Sequence, residues 1–477
     1  MLSNLMLKGF VWSSIERLSV QTVQFLLGIV IARILLPSEY GTIGLLTVFI
    51  AFLSILIDSG FTKALIQKQN RSQTDLSTIF FFNIAISVFC YIVLWFVAPI
   101  IANFYKIPSL VSLTRVLGIS ILLNAFFAIP LVILTIDFDF KSIAKINLIA
   151  VLFSGIAGVI FAYKGFGVWA LVVQTLVRSF LTTIFMWFQI KWKPFLVFST
   201  ESFKTMFSFG SRFVLSSLLA MIVNNISALF IAKLTTTKEL GYYTRGTQFA
   251  DVIYSTFNSV IGSVLLPGLS TIQNEREKLV SLTRTVIKST AIMTTPILIG
   301  MAVIAKPLIR FLLTDKWLPA VPIMQLICIA RLITVIASIN INLLYALGRT
   351  DLTLKQDYLK IIVRLTFLGI SFKYGIIYIA LAELLSTIVH FFINCYSSGK
   401  ILKYGAYKQI YDLLPVIGIC LLMAISMYFS MIFIKKDIIQ ILIGATTGLT
   451  VYIFSMYLFN IREFISLINK GKSLVKR

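Results

Sequence analysis

The sequence predicts an all-α integral membrane protein of about fourteen transmembrane helices, and three observations carry that reading. Apolar residues fill 58% of the 477 positions, 40 of them phenylalanine, and the mean hydropathy is +0.96, well beyond what a soluble domain carries. The apolar residues fall into segments long enough to cross a hydrocarbon core as helices. Finally, part of the pattern occurs twice.

The spans are expected at 10–36, 40–58, 76–100, 110–134, 143–163, 167–190, 203–233, 240–266, 283–305, 319–346, 355–372, 375–397, 411–434 and 437–459. They group as six, six and two, with no connecting segment long enough to fold as a separate domain. The residues before the first span are few and that span is long enough to cross, so a cleavable signal peptide is not expected.

The duplication fixes the domain plan. Ile31-Ala32-Arg33-Ile34, followed by Glu39 and Gly41, returns as Ile231-Ala232-Lys233-Leu234, followed by Glu239 and Gly241, with every internal spacing kept. Gln24 and Asn224 fall at matching offsets, so each copy places an amide inside an apolar helix that ends on a basic residue. A second echo pairs Arg115 and Asn124 with Arg331 and Asn340. Two matches in the same order imply two similar halves, 1–200 and 201–400, followed by two extra helices and a basic tail over 401–477.

The net charge of +24 would suggest nucleic acid in a soluble chain, but in a membrane protein it is first a matter of topology. With a cytoplasmic N-terminus, alternate loops place 24 Lys and Arg on that side and 12 on the other, which supports cytoplasmic termini and needs no nucleic-acid partner. Six spans per half return the chain to its starting side. The repeats are therefore parallel, related by an axis along the membrane normal, a transporter plan with a cavity between the halves. Pro130, Pro296, Gly155, Gly158 and Gly300 interrupt spans, where they permit kinks or close packing. Cys90, Cys328, Cys395 and Cys420 all lie in apolar segments without paired spacing, so they read as small hydrophobes rather than disulfides or metal ligands.

At this point the residues resemble a known family. Leu36-Pro37-Ser38-Glu39-Tyr40-Gly41, Asp58-Ser59-Gly60-Phe61 with Ala64-Leu65-Ile66-Gln67, Leu266-Pro267, Lys316-Trp317 and Ala346-Leu347-Gly348-Arg349 are similar in order and spacing to the polysaccharide transporter family. These are the Wzx-type flippases, here of the colanic-acid and teichuronic-acid exporter branch, within the multidrug/oligosaccharidyl-lipid/polysaccharide exporter superfamily. The resemblance implies a V-shaped, two-lobed transporter of a bacterial cytoplasmic membrane. It would export undecaprenyl-diphosphate-linked repeat units by alternating access, act as a monomer, and serve polysaccharide polymerase machinery. Leu313-Thr314-Asp315 stands where the family more often has a glycine, so the outer loop is expected to differ there.

Taking those 24 and 12 from the 42 basic residues leaves six placed within the spans, all arginines: Arg17, Arg115, Arg178, Arg212, Arg331 and Arg364. An arginine at the centre of a span costs about 2.5–3.5 kcal/mol on an insertion scale, so each needs a wet cavity or a partner. Guanidinium forks suit the paired oxygens of a diphosphate, which makes these six the candidate substrate-binding residues. The plainer alternatives are snorkelling for Arg115 and Arg364 near span ends and pairing with Glu16 for Arg17 and Arg212. The acidic groups read as lying within spans are Glu16, Asp251 and Glu383, with Asp58 at a cytoplasmic edge. Glu383, Ser386, Thr387, His390 and Asn394 form one helical stripe, readable as a proton-coupling relay, with Asp251 a further coupling candidate, or as interhelical hydrogen bonding.

Two rival functions make different demands on the sequence. A drug exporter of the same superfamily is expected to carry a more acidic cavity, and a membrane polymerase or ligase a long external loop with reactive groups. Six intramembrane arginines against three acids disfavour the first, and the absence of a long outer loop disfavours the second. No P-loop occurs, which excludes an in-chain ATPase, and no cofactor is implied.

Overall fold

The computed structural model describes residues 2–58, 61–67, 71–270, 272 and 275–466, and all of its regular structure over those residues is helical. Sixteen α-helices run in order: α1 Leu2–Ile34, α2 Pro37–Asp58, α3 Phe61–Gln67, α4 Gln73–Tyr105, α5 Leu110–Ile136, α6 Phe140–Tyr163, α7 Trp169–Gln189, α8 Thr200–Leu234, α9 Thr237–Ser270, α10 Arg276–Val303, α11 Ala305–Leu313, α12 Val321–Ala346, α13 Thr350–Ser371, α14 Ile376–Leu402, α15 Ala406–Met431 and α16 Asp437–Leu458. Short 3₁₀ helices occupy Asp315–Ala320 and Phe372–Tyr374.

Eleven of the described helices are long and apolar enough to cross a membrane, which makes this a multi-pass membrane protein. Of the fourteen expected spans, the one on α13, a helix of 22 residues, falls outside that set; those expected on α8 and α9 include residues whose side chains lie outside the described residues. In α13 the cause is visible: Asp357, Lys360 and Arg364 interrupt the apolar pattern. Two short helices were not expected. α3 and α11 are too short to register as spans, and α11 is a two-turn amphipathic piece that buries Ala305, Pro307, Ile309 and Leu313.

The chain forms two compact units, residues 1–241 and 242–477. In the first, α1 packs on α6, α6 on α7, α4 on α5, and α8 lies along α2, α3 and α4. Gly155 and Gly158 let α6 approach its neighbours closely, because a methyl group on Gly155 would run into Leu27 and one on Gly158 would sit 3.0 Å from Gln174 Cβ. The connection from α7 to α8 is tied back to α4: Trp192 Nε1 donates to Gln73 Oε1 at 2.6 Å, and the Phe195 and Ser199 amides donate to Ser77 Oγ and Thr78 Oγ1, both at 3.0 Å.

The duplicated stretch has one local structure in both copies. Each long helix ends one turn before the shared glutamate, at Ile34 and Leu234, and the next begins at Pro37 and Thr237. In each copy the glutamate side chain turns back to accept the amide three residues earlier, Glu39 from Leu36 at 2.6 Å and Glu239 from Thr236 at 3.3 Å, so an orphan donor at the helix start is satisfied. Gly41 and Gly241 meet at this crossing. A methyl group on Gly41 would run into the Thr237 carbonyl oxygen, and one on Gly241 into that of Pro37.

In the second unit α12 packs on α14 and α10, α13 on α14, and α15 on α10 and α16. Ile261, Leu265, Ile287, Val335, Ile339, Leu343 and Leu413 form much of its core. Trp317 of the Lys-Trp pair is fully buried and stands edge-on to Tyr242, with ring centroids 6.3 Å apart. Just before it, Thr314 holds φ at 82°, the left-handed region that glycine enters freely and a β-branched residue does not. The departure from the family's glycine therefore leaves the loop in a glycine-like conformation with a threonine in it.

Candidate functional site

The second unit gathers four of the predicted residues into one cluster. Arg331 of α12 donates from Nε to Asp251 of α9 and from Nη1 to Glu383 of α14, the latter at 3.0 Å. Arg364 of α13 reaches Glu383 Oε1 at 3.6 Å and donates to Thr387 Oγ1 at 3.3 Å. Tyr243 donates its hydroxyl to the other Glu383 oxygen, and the Arg331 guanidinium lies 5.8 Å from the Tyr254 ring. Glu383, Arg364 and Tyr243 are buried, whereas the Asp251 side chain is 42% exposed. The cluster thus has a closed end at Glu383 and an open end at Asp251.

His390, the fifth, points elsewhere. Its Nε2–H donates to the backbone carbonyl of Lys360 at 3.0 Å, a helix-to-helix hydrogen bond onto α13. The α14 stripe is extended by Ser398 and meets a matching stripe on α13, in which Thr353, Gln356, Lys360 and Arg364 are all buried. Gln356 Nε2 donates to the Ile393 carbonyl and to Ser397 Oγ, each at 3.0 Å. Lys360 pairs with Asp357 at 2.7 Å.

Tyr243 and Lys360 are the residues that sequence reasoning did not place in a site. Lys360 was counted among the 24 charges on the cytoplasmic side, yet Asp357, Lys360 and Arg364 fall at i, i+3 and i+7, one face of a helix, and that spacing was a usable signal. Tyr243 carried none, because its role depends on a tertiary contact with α14.

In the first unit the predicted residues are spread out. Glu16 of α1 accepts from Asn147 of α6 at 2.7 Å, and its charge acts on Arg178 of α7, which is partly buried. Arg17 is exposed on the same helix as Glu16. Arg115 stacks on Trp95 at 4.3 Å and donates to the Trp95 carbonyl at 3.3 Å, so the repeat-related Arg115 and Arg331 have different partners. The side chain of Arg212 lies outside the described residues. Among the described residues no group of His, Cys, Asp and Glu has the makings of a metal site.

Comparison with known proteins identifies the family. A family described as polysaccharide biosynthesis protein matches residues 30–322. The chain belongs to that polysaccharide biosynthesis protein family. The chain is 26% identical to the teichuronic acid biosynthesis protein TuaB of Bacillus subtilis (strain 168), over 74% of this chain and 73% of that protein. It is 24% identical to the lipopolysaccharide biosynthesis protein WzxC of Escherichia coli (strain K12), over 84% and 82%.

Among solved structures, the fold of this family member is similar to the lipid II flippase MurJ in an inward closed conformation. The TM-score is 0.77 at 16% identity, covering 96% of this chain and 100% of that one. It is also similar to an inward-facing multidrug resistance MATE family transporter of the MOP superfamily, with a TM-score of 0.62 at 17% identity over 82% and 100%. At these identities the likeness establishes the fold.

Proposed function

We propose that the chain is a flippase that moves undecaprenyl-diphosphate-linked oligosaccharide units from the cytoplasmic to the outer leaflet of a bacterial cytoplasmic membrane by alternating access. It does so for cell-surface polysaccharide synthesis, without catalysing a covalent reaction. Family membership and relatives named for teichuronic acid and lipopolysaccharide biosynthesis support the reading. So does the fold shared with a lipid II flippase.

The observation that carries the reading is the buried cluster around Arg331. Two arginines are kept inside a membrane-embedded unit at a cost that packing alone would remove, and one of their carboxylate partners, Asp251, faces the open side. An incoming diphosphate competes with Asp251 for the Arg331 fork, trading one charge-assisted pair for another of the same geometry. Glu383 and Tyr243 hold Arg331 from the closed side. Arg364 offers a further donor, since its buried Nε–H has no hydrogen-bond partner among the described residues. Arg178, Arg17, Arg115 and Arg212 are secondary candidates for the same anion on its path.

The topology that goes with this function has fourteen spans in two parallel six-helix repeats and two further helices, with both termini cytoplasmic. An inside-negative potential, worth about 2.3 kcal/mol per charge per 100 mV, drives the anionic head outward whether or not Glu383, Asp251 and His390 couple protons.

The test is genetic and chemical. Loss of the protein is expected to make lipid-linked repeat units accumulate on the cytoplasmic leaflet, and restoration to clear them. Normal surface polymer without accumulation would overturn the proposal.

A further inference from the structure

Unit 2 carries two adjoining features that the Arg331 cluster does not use. The first is an apolar groove of about 240 Å³ whose lining includes Ala291 of α10, Ile336 of α12, Ile388 and Phe392 of α14, and Ile410 and Ile417 of α15; apart from Thr295 every lining residue is apolar. The second is a shallow pocket of about 420 Å³ lined by Arg284, Tyr404, Tyr407, Lys408, Tyr411 and Asp412. They are continuous. Tyr411 and Asp412 of the pocket alternate along α15 with Ile410 and Leu413 of the groove, and Phe392 of the groove touches Tyr407 of the pocket, with ring centroids 6.3 Å apart.

The pocket is built to present positive charge outward. Asp412 accepts from Arg284 Nε at 2.6 Å and from the Tyr404 hydroxyl at 2.8 Å, which fixes the guanidinium while its side chain stays 52% exposed. Lys408 donates one N–H to the Lys403 carbonyl at 3.0 Å and, as an ammonium, has two more. Two cations against one carboxylate leave the pocket net positive. Around it Tyr396, Tyr407, Tyr411, Leu414 and Leu421 are exposed, the mixture of aromatic tips and aliphatic surface that belongs at a lipid interface.

We propose that groove and pocket together bind an anionic phospholipid, with its phosphate between Arg284 and Lys408 and one acyl chain along the groove. The proposed topology puts this end of the unit in the cytoplasmic leaflet. The head pocket matches a phosphate ester in size and charge and leaves no enclosed space for an oligosaccharide, which separates this ligand from the transported one. The phospholipid would clamp α10, α14 and α15 together along a face that protein leaves open.

The experiment is native mass spectrometry of the purified full-length protein with phosphatidylglycerol, phosphatidylcholine and undecaprenyl phosphate of matched concentration. Wild type is expected to retain phosphatidylglycerol over phosphatidylcholine. Lys408→Gln, an exposed position, should lower that preference about fivefold, from about 1 kcal/mol per basic residue, and Arg284→Gln by a similar factor. Ile388→Trp, which fills the groove from a position 38% exposed, should lower retention of both phospholipids while unfolding at the wild-type temperature in lipid-free detergent. Equal retention of the two phospholipids by wild type, or unchanged retention by Lys408→Gln and Ile388→Trp, would overturn the site. Preferred retention of undecaprenyl phosphate would also overturn it, by transferring the groove to the carrier lipid.

Discussion

Arg331→Ala is the perturbation whose size the structure constrains best. The side chain holds Glu383 at 3.0 Å, and its removal leaves that buried carboxylate with Arg364 at 3.6 Å and the Tyr243 hydroxyl. Breaking a buried pair by deleting one partner costs about 3–5 kcal/mol, because the other charge stays behind. The surviving partners of Glu383 place the loss near the low end, about 3 kcal/mol. Asp251, 42% exposed, regains water and adds little. Glu383→Gln in the Arg331→Ala background removes the orphaned charge, so the second change should recover about 2 kcal/mol, a coupling that a double-mutant cycle isolates. Reversible unfolding in detergent micelles of wild type, both single variants and the double variant measures it. A loss below about 0.5 kcal/mol for Arg331→Ala, with no coupling in the cycle, would refute the ion-pair account. Arg331→Lys should fold better than alanine but export poorly, since it keeps the charge and loses the fork.

Three further outcomes follow from single features. Thr314→Gly relieves a strained backbone worth about 1–3 kcal/mol against a glycine entropy cost of about 0.5–1 kcal/mol, so thermal unfolding should show a gain of about 1 kcal/mol, and a loss would show that the threonine side chain has a role of its own. Gly241→Val forces a branched side chain onto the Pro37 carbonyl and should separate the starts of α2 and α9, read as a loss of thermal stability larger than that of Gly262→Val, where added atoms meet open space; equal effects would remove the crossing from the account. Reporter fusions at Lys193 and Lys403 should report cytoplasm and one at Lys316 the outside, and a cytoplasmic signal at Lys316 would sink the proposed topology.

Much of the fold was legible because the determining information is local. The helix breaks after Ile34 and Leu234 are encoded by the same spacing of basic residue, glutamate and glycine, and the side-chain cap that each glutamate makes depends only on three residues of sequence separation. α11 was missed for the opposite reason: nine residues with one buried face give a hydropathy window no span-like signal. In the site, Arg331, Arg364, Asp251 and Glu383 could be named individually because a charge inside an apolar segment is conspicuous. Their mutual pairing was not readable, since residues up to 132 positions apart in the chain meet only through packing of α9, α12, α13 and α14. Lys360 was lost among cytoplasmic charges because counting loop lysines ignores which helical face each one occupies. Arg115 and Arg331 look equivalent in the duplication, yet one lies on a tryptophan and the other between carboxylates, a divergence that repeat symmetry conceals.

The central claim, movement of a lipid-linked diphosphate oligosaccharide across the membrane with Arg331 engaging the anion, is tested most directly in proteoliposomes. Labelled undecaprenyl-diphosphate-linked oligosaccharide is followed between leaflets with potential and pH gradient imposed separately. Wild type is expected to transfer it far faster than protein-free vesicles and faster still under a potential negative on the loading side, while Arg331→Ala inserts normally and does not. Transfer no faster than in protein-free vesicles, or Arg331→Ala transferring at the wild-type rate, would contradict the account.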